Sequence, residues 1–112
     1  MPRKFNTYRC AIPVAATGTT HDYTIPTDFG RSKAMTMILV TPDYTTGTPT
    51  TTTTFRDKNS RTYFADSARA ENSTFIVSLG SLVVEVGDTI RLTLSAAAGG
   101  ATTVYITFHL EE

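Results

Sequence analysis

Residues 86–94 read Val86-Gly87-Asp88-Thr89-Ile90-Arg91-Leu92-Thr93-Leu94. Gly87-Asp88 is a turn signal, because glycine supplies dihedral freedom and aspartate accepts hydrogen bonds from turn amides. From Thr89 onward every second residue is apolar: Ile90, Leu92 and Leu94, separated by Arg91, Thr93 and Ser95. A period of two predicts a strand with one face inward and the other toward solvent or a partner. The same period returns at the end of the chain, where Val104, Ile106, Phe108 and Leu110 alternate with Tyr105, Thr107, His109 and Glu111. The AAAGGA stretch between these two runs predicts a flexible loop.

Working outward, FNTYRCAIPV offers Tyr8, Cys10 and Ile12 on one face. KAMTMILVT is nearly continuous in apolar residues up to Pro42, the pattern of a central, well-covered strand. TFIVSLGSLVVEV predicts two strand pieces broken near Gly80, and HDYTIP and RTYFAD predict shorter strands. Turn signals separate them: Thr17-Gly18, Asp28-Phe29-Gly30, Pro42-Asp43, Gly47-Thr48-Pro49 and Asp57 to Ser60. ADSARAE is the one plausible helical turn. Threonine makes up roughly a fifth of the chain, far above ordinary usage, and its β-branched side chain fits a pleated surface. The run TTGTPTTTTTF is either a disordered linker or a loop followed by a polar edge strand over 50–56. Folded sequence on both sides favours loop plus strand, an edge on which a neighbour can pair. The expected fold class is all-β: an antiparallel β-sandwich of jelly-roll type, about eight short strands with little or no helix. At 112 residues it forms one domain, 1–112, with 1–7 as an extended N-terminal arm and 44–54 as the Thr-rich loop and edge strand.

Charge excludes some functions. Ten basic residues balance ten acidic ones, which argues against a nucleic-acid partner held on a basic surface. No apolar run reaches the roughly 18 residues of a membrane span. After Met1 comes PRKFNTYRC, with no apolar core of a secretion signal, so synthesis in the cytoplasm is expected. The Asn72-Ser73-Thr74 sequon is then a coincidence of pattern.

Chemistry-bearing residues are few. His21 and His109 have no second His or Cys at metal-ligand spacing, so no metal site is expected. His21 and Asp22 are adjacent, and adjacent strand residues point to opposite faces, which disfavours an acid–base pair. Cys10 sits on an apolar face and is expected to be a small buried side chain. No Gly-rich phosphate loop precedes a helix. An enzyme is not expected, nor a cofactor. Tyr23, Tyr44, Tyr63 and Tyr105 offer rings for a sugar platform or a protein interface. Tyr105, with Thr107 and His109 on the same outward face, is the candidate oligomer interface. Arg3, Lys4 and Phe5 in the N-terminal arm are the candidate capsid-binding residues, suited to lie along an acidic shell or add a strand to a neighbour.

The C-terminal pattern resembles that of the TNF/C1q-like jelly rolls. The matching residues are Val84, Gly87, Asp88, Ile90, Leu92 and Leu94, then Val104, Tyr105, Ile106, Phe108 and Leu110. The resemblance spans roughly the last thirty residues and implies a jelly roll that trimerises through aromatic and aliphatic residues near the threefold axis. Gly87-Asp88 is then scaffold. In size and style the chain looks like a capsid decoration (cement) protein of a tailed bacteriophage. The function this implies is a non-enzymatic virion protein, made in the host cytoplasm, that binds the major capsid protein as a homo-oligomer. The alternative is a carbohydrate- or receptor-binding β-sandwich of a phage tail fibre, with a glycan as partner.

Overall fold

The structure is a computed structural model that describes residues 5–111. Its strands are β1 (Phe5–Val14), β2 (Thr20–Thr24), β3 (Arg31–Thr41), β4 (Thr51–Arg56), β5 (Thr62–Ala65), β6 (Ser73–Glu85), β7 (Thr89–Leu94) and β8 (Thr102–Glu111). A 3-10 turn lies at Thr27–Phe29. One sheet has the order β1-β8-β3-β6 and the other β2-β7-β4-β5. All neighbours are antiparallel. Every connection except the β4–β5 hairpin crosses from one sheet to the other, which makes the sandwich a jelly roll.

Alternation builds the core. The first sheet turns Cys10, Ile12, Val14, Val104, Ile106 and Phe108 inward, and the second Ile90, Leu92, Leu94 and Phe55. Phe55 and Phe108 meet across the sandwich with ring centroids 5.7 Å apart, and Phe29 closes on Phe108 at 5.8 Å. Phe29 comes from the 3-10 turn and meets Tyr8 edge-on at 5.0 Å. Edge-to-face contacts of this kind add to the area that the rings bury.

Two irregularities set which residues face inward. Against β8, β3 carries one extra residue at Met35, so the inward set passes from Ala34 to Met37 and Leu39. Against β3, β6 carries Leu79, Gly80 and Ser81 opposite Met35 alone. Gly80 and Ser81 both have left-handed backbone, with φ of 60° and 65°. TFIVSLGSLVVEV therefore contains one kinked strand, not two pieces: the glycine marks a bulge, because pairing to β3 resumes at Leu82. KAMTMILVT lies in the interior of its sheet as expected, but only one of its faces is covered. Its unbroken apolar look comes from the phase change at Met35 and from outward Ile38 and Val40.

The threonine run departs from expectation. Thr51–Arg56 is a strand, yet β4 lies between β7 and β5 and is not an edge. Thr51 and Thr53 point inward with no exposed surface. The Thr51 hydroxyl shares a 2.9 Å hydrogen bond with that of Tyr44. RTYFAD supplies the covering strand β5, which displaces β4 from the edge. ADSARAE forms no helix. Arg69 instead exchanges backbone hydrogen bonds with Thr51 at 2.8 and 2.9 Å. Of the expected arm 1–7, residues 5–7 belong to β1, with Phe5 opposite Glu111 and Thr7 opposite His109.

A Cβ added at Gly80 meets nothing within 4 Å, so only the dihedral resists substitution there. Gly80→Ala is expected to lower unfolding free energy by about 1–2 kcal/mol in urea titration, and Gly80→Asn by less.

Candidate functional site

The Gly-Asp corner joins the two sheets. Gly87 has φ of 90°. The turn closes through the Asp88 amide, which donates to the Glu85 carbonyl at 3.1 Å. The Val86 and Gly87 amides donate to the Gly30 and Ile25 carbonyls at 2.7 and 3.0 Å, and the Ile25 amide donates to the Asp88 carbonyl at 2.8 Å. The corner is thus laced to the β2–β3 connection by main chain. Asp88 is buried. Its Oδ2 accepts from the Tyr63 hydroxyl at 2.7 Å and from the Glu85 amide at 3.2 Å. Burial and the bond to Asp88 raise the Tyr63 hydroxyl well above its ordinary value. Asp88 Oδ1 is buried without a hydrogen-bond partner among the described residues. These bonds hold a turn and a strand end together, the work of a scaffold.

His21 and Asp22 diverge as adjacent strand residues must. His21 is buried, its Nε2 without a partner among the described residues. Asp22 faces out and receives Arg91 Nε and Nη2 at 2.8 and 3.0 Å. Those bonds hold the Asp22 carboxyl below its ordinary value. No cluster of three or more His, Cys, Asp or Glu side chains suited to a metal ion occurs among the described residues. Cys10 has no exposed surface, and burial pushes its thiol up to about 11, the opposite of what a nucleophile requires.

The tyrosines do not form a platform. Tyr44 is buried, and Tyr23 and Tyr63 pack half-buried against the core. Tyr105 lies on the outer face of the first sheet, with the Arg9 guanidinium 4.0 Å from its ring centroid. A cation over the ring occupies the surface a sugar would stack on.

That outer face gathers the candidate interface residues. Thr107 stands in register with Arg9 and Ile38, and Ile38 with Ile76. Tyr105 stands in register with Ala11 and Val40, and Val40 with Thr74. His109 aligns with Thr7 and Thr36, and Thr36 with Ser78. Tyr105, Thr107 and His109 therefore share one surface, as the alternation predicts. Arg9 is the one fixed charge in these three rows, and the next charges, Lys33 and Glu111, stand in register with each other at the edge of the patch. Ile76 is 76% exposed and Val40 37%. Ile38, Val40 and Ile76 escaped the sequence reading, though apolar residues on both faces of β3 were the signal. Arg3 and Lys4 lie outside the described residues, and Phe5 opens β1.

In comparisons with known proteins, no family model matches the chain and no curated sequence is significantly similar to it.

Two measurements probe these sites. Tyr63→Phe leaves a buried carboxylate short of a donor and is expected to cost about 1–3 kcal/mol in urea unfolding. The Cys10 thiol, raised from 9.0 to about 11, favours the fold fully below pH 9 and loses that contribution as pH rises through about 11. Between pH 9 and 11 the wild type is expected to lose about 2–3 kcal/mol more than Cys10→Ala, as read from urea midpoints across pH.

Proposed function

We propose that this chain is a non-enzymatic structural protein of a virus particle, of the capsid decoration (cement) type. It binds the shell surface as an oligomer. The observation that carries this reading is the outer face of the first sheet. Antiparallel sheets that meet water carry polar residues outward. The half of this face beyond the Met35 bulge instead sets Ile38, Val40, Ile76 and Tyr105 among small hydroxyl side chains, with Arg9 the one fixed charge of those rows. Interface centres have this character: depleted in charge, with Tyr and Arg as anchors. A surface that must fit another protein needs shape and apolar area, and a four-stranded sheet backed by a second sheet supplies both. The homotrimer is proposed on the resemblance of the Gly-Asp corner and terminal strand to trimeric jelly rolls, and the major capsid protein as the further partner on the decoration reading. The tail-fibre glycan reading gains nothing from the tyrosines, since none offers a free, exposed ring.

The test is rebinding to purified virus particles stripped of this protein. Wild type is expected to return at a fixed number of copies per particle. The outer-face double variant Val40→Glu/Thr107→Glu is expected to fold and to lose rebinding by tenfold or more, on the order of the cost of burying unpaired charge. Absence of the protein from purified particles overturns the proposal, as does unchanged binding by the double variant.

A further inference from the structure

Among the described residues, each sheet ends in two strands that have a strand neighbour on one side only. Folded proteins blunt such edges with short length, charge, proline or bulges. Three of the four edges here follow that rule. β2 is five residues long and carries the Asp22–Arg91 ion pair. β5 is four residues long. β1 carries Pro13, which has no amide to donate, and Arg9.

β6 breaks the rule. From Ser73 to Leu79 it reads STFIVSL, seven residues with no charge, proline or glycine. Among the described residues it ends its sheet, with β3 as its one strand neighbour. Thr74, Ile76 and Ser78 point outward and are exposed, while Val77 and Leu79 point into the core. The Gly80-Ser81 bulge stops the regular edge at Leu79. A short, uncharged, β-prone segment on an open edge is a template for another strand.

We propose that residues 73–79 of β6 pair antiparallel with the same residues of a second copy of this chain, about a twofold axis at Ile76. The segment is self-complementary in that register. Ile76 faces its own copy, Thr74 faces Ser78, Phe75 faces Val77, and Ser73 faces Leu79. Each pair joins two outward or two inward residues, so both outer faces lie on one side of a continuous eight-stranded sheet. The segment itself carries no charge, and the Arg69 guanidinium over Phe75 is paired with Asp66. Ile76, the most exposed large apolar side chain among the described residues, is covered at the axis. A seven-residue edge buries less than the roughly 1,000 Å² of a stable interface, so the pairing is weak in dilute solution and strengthens when a surface concentrates the copies. The proposal rests on the strand edge alone, and stands or falls separately from the particle reading.

Cysteine cross-linking tests the register. Directly opposed residues on antiparallel strands place Cβ atoms about 4.5–5.5 Å apart, near disulfide reach. Native Cys10 is buried and stays silent. With copper–phenanthroline as oxidant, Ile76→Cys is expected to give a covalent dimer as the main product. Thr74→Cys alone and Ser78→Cys alone are expected to give little, while the two mixed give a dimer. Ile76→Lys, at an exposed site, is expected to melt like wild type and weaken self-association roughly fivefold or more by sedimentation velocity, since like charges then face each other. An Ile76→Cys protein that stays monomeric overturns the proposal. So does Thr74→Cys cross-linking as readily as Ile76→Cys, or a cysteine at 76 that captures a shell protein instead of a second copy. The Val40→Glu/Thr107→Glu background is expected to leave the Ile76→Cys product unchanged, which separates failure of this pairing from failure of shell binding.

Discussion

The contact between Phe55 and Phe108 holds the molecule together. Phe55 belongs to the strand beside β7, Phe108 to the strand between β1 and β3, and their rings meet where the two sheets face each other. Both side chains are essentially without exposed surface. Phe29 reaches Phe108 from the β2–β3 connection, and Phe64 stacks on Phe55 from β5 at 4.9 Å. One aromatic cluster thus ties the β2–β3 connection, the β4–β5 hairpin and the terminal strand β8, which are far apart in sequence. A sandwich lacks the local hydrogen bonds of a helix, so inter-sheet burial must offset the entropy of ordering so many long-range pairs.

The bulges at Met35 and at Gly80-Ser81 decide what lies on each side of that core. A strand that slips by one residue exchanges its faces. β3 and β6 each shift phase at the same level of the sheet, so both keep apolar residues inward above and below the bulge. The consequence for function is on the outside. Above the bulge the outward positions carry Ile38, Val40 and Ile76. Below it they carry Lys33, and Arg31 and Glu85 pair at 3.5 Å at the sheet's end. The face divides into an apolar half and a charged half, and only the apolar half has the composition of a contact surface. The same bulge ends the uncharged stretch of the β6 edge.

The Gly-Asp corner shows how a motif can be rich in hydrogen bonds and still be architectural. Asp88 binds Tyr63 and the Glu85 amide and anchors the β2–β3 connection through its own carbonyl. Through Oδ2 alone those bonds tie Tyr63 of β5 and the end of β6 to the corner that starts β7. The other buried polar groups, His21 and Thr53, flank Leu92 in one register row further along the inner face of the second sheet.

Period-two alternation made β1, β7 and β8 legible from the residues alone, because each keeps one phase from end to end. It also placed Tyr105, Thr107 and His109 together, and Cys10 inside. It could not place β4. Alternation says which residues share a face, but not which strand lies beside them, and the threonines of 51–54 fit a polar edge as well as an interior strand. Nor could it distinguish the fates of five tyrosines, since an amphipathic ring is at home on either side of a sheet. The break in phase at Gly80 reads the same in sequence whether a strand ends or bulges. The sequence by itself determined the class of the fold, its turns and the inward set of its regular strands, because those follow from local sterics and polarity. Strand order, the bulges, the charge-poor half of the outer face and the open β6 edge were decided by tertiary structure. They depend on pairings between distant residues, and no local pattern encodes which distant partner a strand will meet.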